Sequence, residues 1–222
     1  MQPEPSAHAL LRIAHAGALA SAETALPPGE SASVRALAPW VEAALVRAPW
    51  VVVRRARSRD GLIPVGVRGA TRTERLAAWL HPQSVRECLT PLQLAARAGW
   101  RNGARVPALA ALESVGALMR RHRLDWGPCG SVGFELASGV ATATADSDLD
   151  LMVDARVPLP PAAATELRAA LALLPVRTDV LLEGPQGAVT LEEYARARTP
   201  YVLRTTDGPR LVHDPWGGAA AA

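Results

Sequence analysis

The chain has 222 residues, 49% of them hydrophobic, and a formal net charge of +3 at pH 7, enough length and apolar content for one or two compact domains with a substantial core. All 24 basic residues are arginine, which excludes mechanisms that need a lysine: a Walker-type phosphate loop, a kinase lysine or a Schiff base. An Ala- and Arg-rich chain without lysine fits a GC-rich genome, so the small positive charge is no argument for nucleic acid as a partner.

The first 38 or so residues are rich in Ala, Pro and Ser. No Lys or Arg precedes Arg12 and Glu4 stands near the start, unlike the charged opening of a secretory signal. No apolar run is long enough to span a bilayer. We therefore expect a cytoplasmic protein without a membrane partner.

In chain order, His8 to Ala16 is expected as a short helix and Pro27 to Ser31 as a loop. Pro39 starts a helix that runs to Arg47, and Pro49 stops it. Trp50 to Ala56 is β-branched and apolar and predicts a strand, Asp60-Gly61 a turn, and Leu62 to Arg68 a returning strand. Thr71 with Glu74 at the capping-box position predicts the start of a helix. Thr90 to Ala98 is a weaker helical stretch. Gly99 to Pro107 reads as a linker, which divides the chain into an N-terminal domain, 1–105, and a C-terminal domain, 106–222.

From Ala108 to Arg123, Leu109, Leu112, Leu118 and Met119 recur at helical spacing. A strand then ends at Gly130, a short helix follows, and Ser147 to Val153 is a strand. Ala162 to Leu173 predicts a helix, Val176 to Leu182 a strand and Leu191 to Ala197 a helix. Tyr201 to Thr205 and Arg210 to Val212 form a hairpin through Asp207-Gly208. Helices alternating with strands indicate an α+β protein: a small N-terminal α/β domain, then a mixed sheet with helices on one side.

Two fragments carry chemistry. Gly130-Ser131 suits a tight strand-to-helix turn whose free N–H groups could hold a phosphate. Asp148-Leu149-Asp150 places two carboxylates on one face of a strand and its leucine in the core. Two close carboxylates repel, so a bound Mg²⁺ is the natural way to keep both ionised. Asp146 joins that face only if the strand starts early; otherwise it is a turn residue. Cys88 and Cys129 lack C-x-x-C spacing, which indicates neither zinc nor a disulfide framework, and Cys129 reads as a buried filler. His81, His122 and His213 show no nucleophilic triad.

Gly-Ser followed by Asp-h-Asp, with h apolar, resembles the polymerase-beta kind of nucleotidyltransferase superfamily. Together with Pro49 to Ala56, Ile63 to Gly69 and the following Arg72, Arg75, Ala77, Ala78 and Trp79, it resembles the malonate decarboxylase holo-acyl-carrier-protein synthase family, the phosphoribosyl-dephospho-CoA transferases. That resemblance covers most of the chain. The family's usual pattern has an aromatic residue, then Gln, and later Leu-Thr-Gly after the Gly-Ser; here Phe134 and Gly139 are kept and Glu135 stands where the amide would be.

The resemblance implies a nucleotidyltransferase-like catalytic domain. It would use Mg²⁺ (or Mn²⁺) on Asp148 and Asp150 to transfer a phosphoribosyl-dephospho-CoA group from the triphosphoribosyl precursor to a serine of the apo acyl carrier protein subunit of malonate decarboxylase. It also implies a third carboxylate on a neighbouring strand. Asp179 is favoured, because a carboxylate inside an apolar strand needs a partner; Glu183 falls at the Gly-Pro loop, and a salt bridge from Asp179 to Arg177 or Arg204 is the structural reading. Gly130, Ser131, Arg54, Arg55 and Arg68 would bind substrate phosphates, while Arg72 and Arg75 are as readily surface residues. A different metal-dependent nucleotidyltransferase, acting on another small-molecule or protein hydroxyl, shares the carboxylate motif; a non-catalytic carrier-binding module would not need it.

Overall fold

A computed structural model describes residues 5–21, 38–71, 73–97 and 105–217. The chain is α+β and forms two compact units, Met1–Thr90 and Pro91–Ala222. The division precedes the expected Gly99–Pro107 linker, most of which lies outside the described residues, as does the expected Pro27–Ser31 loop. Helix Pro91–Ala96 belongs with the second unit because Gly127 lets it approach: a Cβ at Gly127 would stand 1.8 Å from the Pro91 carbonyl oxygen.

The first unit is a six-stranded antiparallel sheet. Its strands are β1 (Leu10–Ile13), β2 (Leu19–Ser21), β3 (Trp50–Val53), β4 (Ile63–Arg68), β5 (Arg75–Leu80) and β6 (Val85–Leu89), in the order β2-β5-β4-β3-β1-β6. Helix α1 (Pro39–Arg47) forms as expected and sinks Val41 and Leu45 against one face, where Leu11, Ile13, Val51, Val53, Val65, Val67, Ala78 and Leu80 complete the core.

Two expectations fail here, both because sheet pairing overrides local preference. Leu10 to Ile13 is a strand instead of part of a helix, since it completes the sheet between β3 and β6. Thr71 caps no helix. The Glu74 carboxylate accepts the Thr71 N–H at 2.9 Å as the capping box requires, but Gly69 N–H donates to the Glu74 carbonyl, so the bond closes a turn and the chain returns as β5, with Arg75 its first residue.

The second unit continues from α2 (Pro91–Ala96) through α3 (Pro107–Ala110), α4 (Leu112–His122), β7 (Trp126–Pro128), α5 (Gly130–Ser138) and β8 (Leu149–Asp154). It ends with α6 (Pro161–Leu171), β9 (Thr178–Gly184), β10 (Gly187–Thr190), α7 (Leu191–Ala195), β11 (Tyr201–Thr205) and β12 (Gly208–Val212). The sheet runs β12-β11-β10-β9-β8-β7 and is antiparallel except for β8 beside β9. That parallel pair needs a crossover, and α6 supplies it. Leu149, Leu151 and Val153 of β8 pack with Leu112, Val115 and Met119 of α4, Val132 of α5, and Ala164, Leu167 and Leu171 of α6. Asp150 and Asp154 are only half-buried, on the alternate face. Glu183 lies inside β9 beside Asp154, not in a loop, because the strand runs on to Gly184.

Candidate active site

The carboxylates gather where β8 and β9 begin. Asp148 is the last residue before β8, and Asp150 and Asp179 are register partners in the parallel pair, which sets their Cα atoms on neighbouring strands about 4.8 Å apart. Asp146 belongs to the turn ahead of the strand, where Ser147 N–H donates to the Thr144 carbonyl at 3.1 Å.

β7 runs antiparallel to β8 and delivers the Gly130 turn to the same place. Cys129 N–H donates to the Asp150 carbonyl at 2.8 Å. Gly130 adopts φ +57° and its missing side chain is filled by the Asp150 carboxylate: a Cβ there would lie 1.8 Å from Oδ2. Glycine is thus required twice, for backbone and for space. No side chain caps α5 at Cys129, so the first-turn N–H groups are not taken by a cap. Gly130 is exposed, whereas Ser131 is buried. Cys129 is also buried.

Arg177 stands among the carboxylates. Its Nη2 is 2.5 Å from Asp179 Oδ2 and 3.4 Å from Asp148 Oδ2. The hydrogen bond to Asp179, followed by the charges of Asp179, Asp148 and Asp150, holds the guanidinium above its usual pKa. Among the described residues no three His, Cys, Asp or Glu side chains are drawn together as a ready-made metal cage; Asp148 and Asp179 are turned to the guanidinium. The donor set nonetheless suits Mg²⁺, being carboxylate oxygens on fixed neighbouring backbones, with Asp150 seated against a residue that has no side chain.

Glu135 ties the loop between α5 and β8. Its carboxylate takes two hydrogen bonds from Arg105 Nη2, 2.9 and 2.7 Å, and its Oε2 accepts Thr142 N–H at 2.8 Å and Ala143 N–H at 2.9 Å. Burial pushes this carboxyl up, but the Arg105 hydrogen bond, the two N–H groups and the Arg105 charge outweigh it and hold the pKa below the usual range. Thr142 Oγ1 donates to the Ser131 carbonyl at 2.8 Å. The loop is laid back along α5 to its first turn, and the chain enters β8 beside Gly130.

Two family models match the chain: the phosphoribosyl-dephospho-CoA transferase MdcG N-terminal domain over residues 6–91 and the C-terminal domain of the same name over residues 75–215. The chain belongs to this family. Among its relatives, a phosphoribosyl-dephospho-CoA transferase of Azotobacter vinelandii is 44% identical over 82% of this chain and 87% of its own length. One from Pseudomonas putida is 40% identical over 80% and 85%, and one from Klebsiella pneumoniae 35% identical over 97% and 98%. No solved structure matches. The family gives the chain its class, a transferase of the phosphoribosyl-dephospho-CoA group.

The transferase's N-terminal model covers the other predicted residues. Arg54 and Arg55 follow the end of β3 and are half-buried. The Arg54 stem lies across Gly66, whose absent Cβ would be 3.7 Å from the Arg54 Cγ and Cδ. Arg68 closes β4 opposite Arg75, and Arg72 lies outside the described residues. The three arginines thus belong to the first unit, and Gly130, Ser131, Asp148, Asp150 and Asp179 are together in the second. In the sequence, Arg177 reads only as a bridge partner for Asp179. Its spacing two before Asp179, on the same strand face, was the available signal. Arg105 had none, being distant from Glu135 in the chain.

Among the described residues no helix is long and apolar enough to cross a membrane.

Proposed function

We propose that this transferase moves the 2′-(5″-phosphoribosyl)-3′-dephospho-CoA group from its 5″-triphosphate precursor to a serine of the apo acyl carrier protein subunit of malonate decarboxylase, in the cytoplasm. The serine oxygen forms a new bond to the precursor's α-phosphorus, the bond to pyrophosphate breaks, and the product is a phosphodiester. The observation that carries this reading is the convergence of Asp150 with Asp179 across the parallel pair and with the Gly130 turn.

Asp148 and Asp150 would hold Mg²⁺ or Mn²⁺, with Asp179 either completing the cation site or taking the serine's proton. The bound cation supplies charge neutralisation on the triphosphate and a lower pKa for the attacking hydroxyl. Gly130, Ser131 and their backbone N–H groups receive the departing phosphates; with Ser131 buried, its main chain serves better than its hydroxyl. Arg54, Arg55 and Arg68 would bind substrate phosphates, a task suited to the planar guanidinium fork. The nucleophile comes with the carrier, so the enzyme needs none.

Incubating the protein with apo carrier and the triphosphoribosyl precursor, then weighing the carrier, is expected to show the added prosthetic group. Transfer from ATP alone would favour another metal-dependent nucleotidyltransferase. In the same assay Asp148→Asn is expected to slow transfer by roughly a hundredfold or more; an unchanged rate would sink the cation role.

A further inference from the structure

Arg177 has no part in the reading above, yet it is central to the carboxylate group. Its backbone is fixed, because Leu149 N–H donates to its carbonyl at 2.9 Å and thereby starts β8. Its side chain is 68% exposed and bridges two carboxylates that come from different strands' ends. Exposed ion pairs are weak individually, so turning this guanidinium outward costs little. Turning it is also necessary, because a divalent cation and a guanidinium would compete for the same oxygens of Asp148 and Asp179.

A guanidinium displaced from carboxylates has an equally good partner in a phosphate, which offers the same paired oxygens. We propose that Arg177 is a donor-binding residue that exchanges partners: it bridges Asp148 and Asp179 until a divalent cation takes their oxygens, and then binds the triphosphate of the donor. The exchange conserves charge pairing at every stage. Asp148 and Asp179 pass from one cation to another, and Arg177 passes from carboxylate to phosphate. It also couples the two ligands: donor and metal favour each other's binding, because each removes a partner the other would have to displace. This inference rests on the proposed metal-dependent transfer.

The test uses the full chain with Mn²⁺ alone, followed by donor kinetics. Arg177→Met removes the competing cation, so Mn²⁺ is expected to bind about fivefold tighter than to the unaltered protein, read by paramagnetic resonance of free Mn²⁺. The KM for the triphosphate donor is expected to rise about tenfold, with kcat changing less. Arg177→Lys, which keeps charge without the fork, should fall between the two in both measurements. Mn²⁺ affinity that is unchanged or weaker in Arg177→Met, or an unchanged donor KM, overturns the proposal while leaving the metal reading in place. If neither the unaltered protein nor Arg177→Met binds Mn²⁺, the metal reading falls and the proposal with it.

Discussion

A methyl group at position 130 has nowhere to go. Its carbon would lie 1.8 Å from Asp150 Oδ2, and φ there is +57°, a region that costs an L-residue about 1–2 kcal/mol. Gly130→Ala is therefore expected to lower urea stability modestly and to cut the transfer rate by about a hundredfold, since displacing a reacting group by an ångström has that scale of effect. An equal loss in both would point to misfolding instead. Glu183→Gln is the matching control. Glu183 lies four residues beyond Asp179 on β9, about 13 Å along the strand, and transfer by this variant is expected to match the unaltered enzyme. That Asp148 and Asp150 stand together at the start of a strand was legible because their spacing is local, although Asp148 precedes β8 instead of lying in it as the expected start at Ser147 had it. Asp179 was legible because it is acidic in an apolar strand. The bridge from Arg177 was half legible, since spacing gives the face but not which carboxylate the guanidinium chooses.

At the scale of elements, the loop between α5 and β8 depends on one carboxylate. Because Arg105 and two N–H groups hold Glu135 below the usual carboxyl pKa, the folded state releases its proton more readily than the unfolded chain does. The resulting stability is fully present above the ordinary carboxyl pKa of 4.5 and is lost as pH falls through the lower folded value. Urea unfolding should show Glu135→Gln weaker than the unaltered protein by roughly 1–3 kcal/mol at pH 7, with the gap closing below pH 4.5; a gap that ignores pH would mean shape, not charge, matters at this position. Elements whose signal lies within their own residues, α1, β3, β4 and the β11–β12 hairpin, were readable. β1 was not: Leu10 to Ile13 owes its form to β3 and β6, strands far along the chain. The Thr71–Glu74 pair shows a different limit, since the same hydrogen bond can open a helix or close a turn, and only the β4–β5 register decides.

Across the whole molecule, the cores of the two units share no residue among the described residues. Residues 91–222 expressed alone are expected to unfold in one cooperative transition by circular dichroism in urea; a broad, featureless melt would show that this unit does not stand by itself. The α+β class and the site's half of the chain were visible in the order of helices and strands, whereas sheet order was not, because strand neighbours are chosen by burial over long separations. The β8–β9 pair carries a further consequence for how such enzymes can diverge. Asp150 and Asp179 meet because they occupy the same register step, not because of how many residues separate them. The crossover through α6 can therefore gain or lose surface residues between Leu171 and Arg177 without changing the gap between the two carboxylates. A pattern search that demands a constant Asp-to-Asp interval would pass over true relatives, and one that seeks a lone acid in the strand after the crossover helix would keep them.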